Sequence, residues 1–349
     1  MAEVDLTTPA DVAGEAYATA VRTKSLKLKQ ELIRQTLEDS ASWTRAVNDK
    51  WANDHPGEWD GLPIPPEEIQ QYRQRVQTED YEWVVPSFER YLEPDPDKLT
   101  PIIDALAKVE AMLQGRADQE GGWTGSSPAL QRINDVRADM TLWEGAFKEN
   151  FVDRFLTPLG NVVPNQREVI ALSREQLEGA KIIHIRFRKS VLSMLDNGIK
   201  AVQQLSNSAC KGSDVLKWGS IALCVVGTIG GGMTLGVGAA AAAVAIDVLG
   251  TVAGGLVPSD KEATKLDLAA NTATEVAGKI LSAQSALDND TYSQEEIVTT
   301  ALRSLYSIVS TERQPTRTSN RSTAFGVATP ALADATPGQI TGGSFRPRH

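Results

Sequence analysis

From Trp218 to Ile246 the chain carries 29 residues without a charge, and beyond Asp247 the apolar composition continues to Pro258. A helix needs roughly 20 apolar residues to cross a bilayer core, so this run is long enough. Its residues are mainly Gly and Ala rather than Leu and Phe, which lowers the gain from transfer into lipid. Two outcomes satisfy such a run. One is a weak transmembrane hairpin. The other is an apolar helical hairpin buried in its own soluble bundle or in an oligomer. Gly230-Gly231-Gly232 is placed to divide it into 215–229 and 233–257, each close to spanning length. Gly227/Gly231, Gly232/Gly236 and Gly250/Gly254 have the four-residue spacing that lets helices approach closely. Asp247 opposes the membrane outcome, because an ionisable group at mid-bilayer is expensive.

The rest of the chain is acidic and polar. Net charge is −10, and residues 1–125 hold 13 Lys/Arg against 24 Asp/Glu, so the excess is confined to that third. Such a balance argues against a nucleic-acid partner. Cys210 and Cys224 are too few for a disulfide framework, and Cys224, inside the apolar run, reads as a buried thiol. The first 20 residues are acidic and lack an apolar segment, so no cleaved signal peptide is expected. After 313, Thr, Ser, Pro, Gly and Arg dominate. A tail of that composition buries too little surface to offset its ordering entropy and reads as disordered.

Helical spacing fills most of what remains. Val12, Tyr17, Val21, Leu28, Leu32, Leu37, Val47 and Trp51 mark a helix over 9–52, with Pro9 at its first position. A loop follows over 54–66, where four prolines join Gly57 and Gly61. Shorter helices are expected near 66–92 and 98–116, interrupted by Pro86, Pro94 and Pro96. From Pro164 to Leu205 one stripe runs through Val169, Leu172, Gln176, Ala180, Ile183, Phe187, Val191, Met194, Gly198 and Val202. That predicts a rod of roughly 60 Å at 1.5 Å per residue. Leu266, Ala269, Ala273, Val276, Ile280, Ala283 and Leu287 alternate three- and four-residue steps, a heptad seam of small residues. Ser293-Gln-Glu-Glu296 reads as a capping box that opens a last helix through Val298, Leu302, Leu305 and Val309. Strand patterning is almost absent.

The expected fold is therefore all-α: an elongated bundle of long antiparallel helices with a Gly/Ala-rich apolar hairpin. Five segments follow: an acidic helical region 1–125, a helical hairpin with the long helix 126–214, the apolar element 215–258, returning helices 259–312 and the tail 313–349.

Enzymatic signatures are poor. His55, His184 and His349 are isolated, with no second ligand at metal spacing. His184 reads as a packed helix-face residue. No nucleophile elbow, Walker loop or cysteine–histidine pattern is present. No catalytic residue, metal or cofactor is expected.

Three tripeptides share one form, Trp59-Asp-Gly61, Trp123-Thr-Gly125 and Trp143-Glu-Gly145. The third sits in L-W-E-G-A-F-K-E-N-F-V-D-R-F-L, ahead of the long helix. Gly145 allows a tight turn between helices and Trp143 packs at it; an ordinary hairpin corner has the same elements. The segment from about Ala129 to Leu205, a fifth of the chain, resembles the WXG family, helical-hairpin proteins exported by type VII secretion systems. The resemblance implies that Trp143 and Gly145 form the turn motif and that export needs no cleaved signal. It also implies a Tyr-x-x-x-Asp/Glu export signal. Tyr292-x-x-x-Glu296 has that spacing, as does Tyr91-x-x-x-Asp95 across Pro94.

The order long helix, apolar element, returning helix is similar in layout to alpha-helical pore-forming toxins of the cytolysin A and haemolysin BL type. The functional expectation is a secreted, non-enzymatic, membrane-active protein whose partner is a lipid bilayer. The alternative is a structural or adaptor component of a secretion apparatus, with the apolar run as an oligomer interface and a helical protein as partner.

Overall fold

The computed structural model of the chain describes residues 6–56, 64–117, 123–125, 127–141, 148, 151–205, 270–313, 323–327, 336 and 338. Helix makes up 85% of these residues, so the fold is all-α. The helices are α1 (Gly14–Asp54), α2 (Pro66–Thr78), α3 (Val84–Glu89), α4 (Thr100–Met112), α5 (Pro128–Met140), α6 (Thr157–Leu205) and α7 (Ala273–Arg313). The only strands among the described residues are β1 (Gly115–Ala117) and β2 (Trp123–Gly125), an antiparallel pair. The chain forms two units, and each draws on segments distant in sequence. The first holds the described residues up to Asp97, those from Lys181 to Leu205, and those from 270 to Glu295. The second holds the described residues of Lys98–Ala180 and those from Glu296 onward.

In the first unit α1, α6 and α7 share one core. Val12, just ahead of α1, joins Tyr17, Val21, Leu28 and Leu32 from that helix; α6 adds Phe187, Val191, Met194, Leu195 and Val202. From α7 come Ala273, Val276, Ile280, Ala283 and Leu287, the described part of the predicted heptad seam. Each large apolar side chain buried here is worth roughly 1.5–3 kcal/mol relative to exposure. The hydrogen bonds set the helix directions. Lys24 meets Asp196 at 2.6 Å and Gln203 donates to Glu31 at 2.8 Å, so α1 and α6 run parallel. Ala273 N donates to Asp39 at 3.2 Å, and Ile280 meets Leu28 beside Gly198, so α7 runs antiparallel to α1 and therefore to α6. Residues 81–92 return along α1: Thr36 and Tyr81 hydroxyls are 2.6 Å apart, and Tyr17 donates to the Tyr91 carbonyl at 3.1 Å.

The predicted stripe of α6 is buried at Ile183, Phe187, Val191, Met194, Gly198 and Val202. Ile185, Leu192, Leu195 and Ile199 are buried as well, because α6 has neighbours on two sides. By contrast, no residue of α1 beyond Thr36 is buried, and Trp43 is 63% exposed.

Two expected boundaries are corrected. Pro9 does not begin the long helix; a 3-10 turn, Ala10–Val12, precedes α1 at Gly14. Nor does Ser293 cap a new helix, since α7 is continuous from Ala273 to Arg313. The turn-prone stretch Asp288-Asn-Asp-Thr-Tyr-Ser293 stays helical, with Leu287 and Thr291 buried on one face of it. Packing of that face outweighs capping propensity.

In the second unit Leu172 and Leu305 are buried together, with Leu302 and Ile308 against them. Glu110 accepts from Arg174 Nε at 3.0 Å, and Arg174 also pairs with Glu178 one turn on. The second Trp-x-Gly tripeptide, Trp123-Thr-Gly125, forms strand β2. Trp123 is buried, and Asn134 holds its main chain from α5 at both ends, accepting from N at 2.6 Å and donating to O at 2.8 Å. Gly115 opposite has φ +150°, and a Cβ there would lie 2.6 Å from the Trp123 indole nitrogen. Trp59, Gly61, Trp143 and Gly145 lie outside the described residues.

Candidate functional site at the helix ends flanking the apolar run

The apolar element itself, with Gly227, Gly231, Gly232, Gly236, Asp247, Gly250 and Gly254, lies outside the described residues. Its flanks do not. α6 ends at Leu205 and α7 starts at Ala273. Both lie beside residues 31–39 of α1. Leu205 and Ala273 therefore lie at the same end of the three-helix core.

The start of α7 is closely specified. Thr272 is the N-cap of α7: its hydroxyl accepts from Glu275 N at 3.3 Å, and Glu275 Oε2 accepts in turn from Asn271 N at 2.8 Å. Asp39 takes the Ala273 N–H from across the core, and Gln35 holds the other Asp39 oxygen at 2.8 Å. Three N–H groups at the start of the helix are thus satisfied by side chains. The carboxylates of Asp39 and Glu275 also meet the positive end of the helix dipole. The sequence signal is Thr272-Ala-Thr-Glu275, a capping box inside the seam expected to run from Leu266. At the end of α6, Glu31 accepts from Gln203 at 2.8 Å and from Arg34 at 2.9 Å. These bonds, Gln203's foremost, hold the Glu31 carboxyl below its usual range.

At the other end of the first unit lies a residue that sequence reasoning missed. Arg188 is 2% exposed and donates to the carbonyls of Val12 at 2.9 Å, Leu92 at 2.9 Å and Pro94 at 3.2 Å. Asp95 lies 3.3 Å away, and the guanidinium stacks 4.5 Å from the Tyr17 ring centroid. Burial pushes the Tyr17 hydroxyl well above its usual range, with Arg188 opposing the shift. Burial also pushes Tyr91 up to about 12. Of the pair Tyr91 and Asp95, Tyr91 is buried edge-on to Phe187 at 5.4 Å, while Asp95 is partly exposed and faces Arg188. Tyr292 and Glu296 are instead exposed one turn apart on α7.

His184 packs as expected and is nearly buried. Its Nε2 lies 3.0 Å from Glu295, while the buried Nδ1 has no hydrogen-bond partner. Burial, assisted by Arg188 and opposed by Glu295, lowers the pKa from the usual 6.5. The folded chain thus keeps the ring neutral where the unfolded chain protonates it. Stability from this group is present above pH 6.5 and is lost as pH falls through the folded value. The expected slope is at most about 1.4 kcal/mol per pH unit. Urea midpoints at pH 7 and pH 5 should converge when His184→Gln is compared with wild type; an unchanged pH dependence in the variant would remove His184 from the account.

His55 stacks on Trp51 at 4.9 Å beside the end of α1. Among the described residues no group of three His, Cys, Asp or Glu is placed to hold a metal ion. No described helix is long and apolar enough to cross a membrane.

No family model, curated protein or solved structure matches the chain.

Proposed function

We propose a non-enzymatic, membrane-active protein in which the first unit presents the apolar stretch 218–257 to a lipid bilayer. The observation that carries this reading is that the end of α6 and the start of α7, which flank the apolar run in sequence, lie at one end of the three-helix core. A segment joined at both its ends to one end of a bundle needs no unthreading of the core to move. The start of α7 is locked by Thr272, Glu275 and Asp39, so the helices need not rearrange when the segment moves. Apolar surface held against protein and released into lipid is a two-state switch. The chemistry is burial alone, roughly 25 cal/mol per Å2 of apolar area removed from water.

The test is flotation and dye release with anionic and neutral liposomes, comparing the full chain with a variant whose residues 218–257 are replaced by a short Gly/Ser loop. The wild type is expected to float and release dye, and the variant to remain soluble with unchanged helix content. Absence of release at any pH sinks the reading. The second reading is a scaffold whose run is an oligomer interface, supported by the three small-residue spacings within it. Under that reading light scattering gives an oligomer for the wild type and a monomer for the variant, with no lipid binding by either.

A further inference from the structure

Within the stretch read as a structureless tail, residues 323–327 form a turn held against α6. Thr323 N donates to the Gly326 carbonyl at 2.7 Å, and Gly326 N donates to the Thr323 hydroxyl at 3.0 Å. The turn thus closes on itself and brings its own conformation to the contact. Asn165 Nδ2 then donates to the Ala324 carbonyl at 2.9 Å, and Gln166 Nε2 to the Phe325 carbonyl at 3.0 Å. Phe325 is 4% exposed, while its four described neighbours are only partly covered.

We propose that the α6 surface around Asn165 and Gln166 is a binding site for a short peptide bearing an aromatic residue in a tight turn, filled in this chain by its own residues 323–327. Two features support a ligand rather than a strut. Both amide side chains read main-chain carbonyls, which any peptide offers, so selectivity rests on the aromatic anchor and the turn. The turn and its site are 159 residues apart in sequence, while only nine residues separate Arg313 from Thr323. A tether of that length holds a ligand at an effective concentration of order millimolar. A contact that is weak between molecules is therefore occupied within one, and a competing segment displaces it when present at comparable concentration. The inference is independent of the membrane reading, since it uses neither the apolar run nor the helix ends that flank it.

The probe is a labelled peptide of residues 319–331, titrated against the full chain and against Phe325→Ala and Phe325→Asp, which empty the site. Saturable binding to the emptied variants, at least about tenfold weaker to wild type, is expected. Adding Asn165→Ala with Gln166→Ala to Phe325→Ala should weaken the peptide by about tenfold. A peptide lacking the Phe325 ring should bind none of them. Equal binding to wild type and to the emptied variants overturns the proposal, as does no binding to variants of wild-type helix content. Loss of helix content in both Phe325 variants also overturns it, because the segment is then part of the fold and not a ligand.

Discussion

Replacing Arg188 by alanine is expected to lower the stability of the first unit by about 3–5 kcal/mol, the cost of breaking a buried charge network from one side. The carbonyls of Val12, Leu92 and Pro94 would each lose a donor 2.9–3.2 Å away. Asp95 would lose its cation and the Tyr17 ring its stacking partner. An unsatisfied buried acceptor costs about 1–3 kcal/mol, and these three are held by one side chain. Domains are commonly stable by only about 5–15 kcal/mol, so the variant should sit near its unfolding threshold at ambient temperature. Arg188→Lys is the sharper comparison. A compact ammonium cannot reproduce the planar fork that reaches three acceptors at once, so the charge survives but the geometry does not. An intermediate loss is expected there. Asp95→Asn, on the more exposed partner, should cost under about 1 kcal/mol. Urea unfolding followed by circular dichroism measures all three. A loss below about 1 kcal/mol for Arg188→Ala would mean that relaxation or water replaces the guanidinium and that the node does not hold the corner.

The position of Arg188 shows where sequence reading stops. The long helix was legible, because Ile183, Phe187, Val191, Met194 and Val202 repeat with helical period and all are buried. So was the seam from Ala273 to Leu287. Arg188 follows Phe187 in a run of alternating charged and apolar residues, and its type alone places it in solvent. What buries it is the arrival of Leu92, Pro94 and Val12, up to 176 residues away in the chain. Period carries information about one face of one helix and not about which distant carbonyls lack donors. The same limit explains Ser293. Local capping chemistry was read correctly as a type, but the continuous face of α7 decides where the helix begins. The partner that confirms the true start, Asp39, is 234 residues from Ala273. Phe325 escaped for a third reason. One aromatic residue among Thr, Ala, Gly and Val carries no periodicity, so only contact reveals it.

Gly198→Leu is the second change expected to act strongly, and its sign follows from one distance. Gly198 sits where α1, α6 and α7 converge: a Cβ there would lie 3.1 Å from Ile280 Cδ1 and 3.4 Å from Leu28 Cδ1. A single methyl group asks the Ile280 side chain to give by a few tenths of an ångström, while alanine improves helix propensity over glycine by about 1 kcal/mol. The two terms oppose each other, so Gly198→Ala should fall within about 1 kcal/mol of wild type. Leucine adds three more carbons with nowhere to go except into Leu28 and Ile280, both fully buried. Overpacking of this kind costs about 1–3 kcal/mol, and a three-helix junction, which cannot relax by moving one helix alone, belongs at the top of that range. Ile280→Ala vacates the space that leucine would take, though by itself it should cost about 2–5 kcal/mol through the cavity it leaves. The double variant should then be more stable than the sum of its parts predicts, with a coupling of about 0.5–3 kcal/mol. Additive losses would place the leucine elsewhere, away from Ile280. Closeness at Gly198 also bears on function. It holds α6 and α7 together within about two turns of Leu205 and Ala273, which flank the apolar run in sequence. A helix pair wedged apart at that point would present the run on a loosened mount. Gly198→Leu should therefore alter the liposome response by more than its stability loss accounts for, whereas Arg188→Ala, at the far end of the same core, should alter it only in proportion to the fraction unfolded.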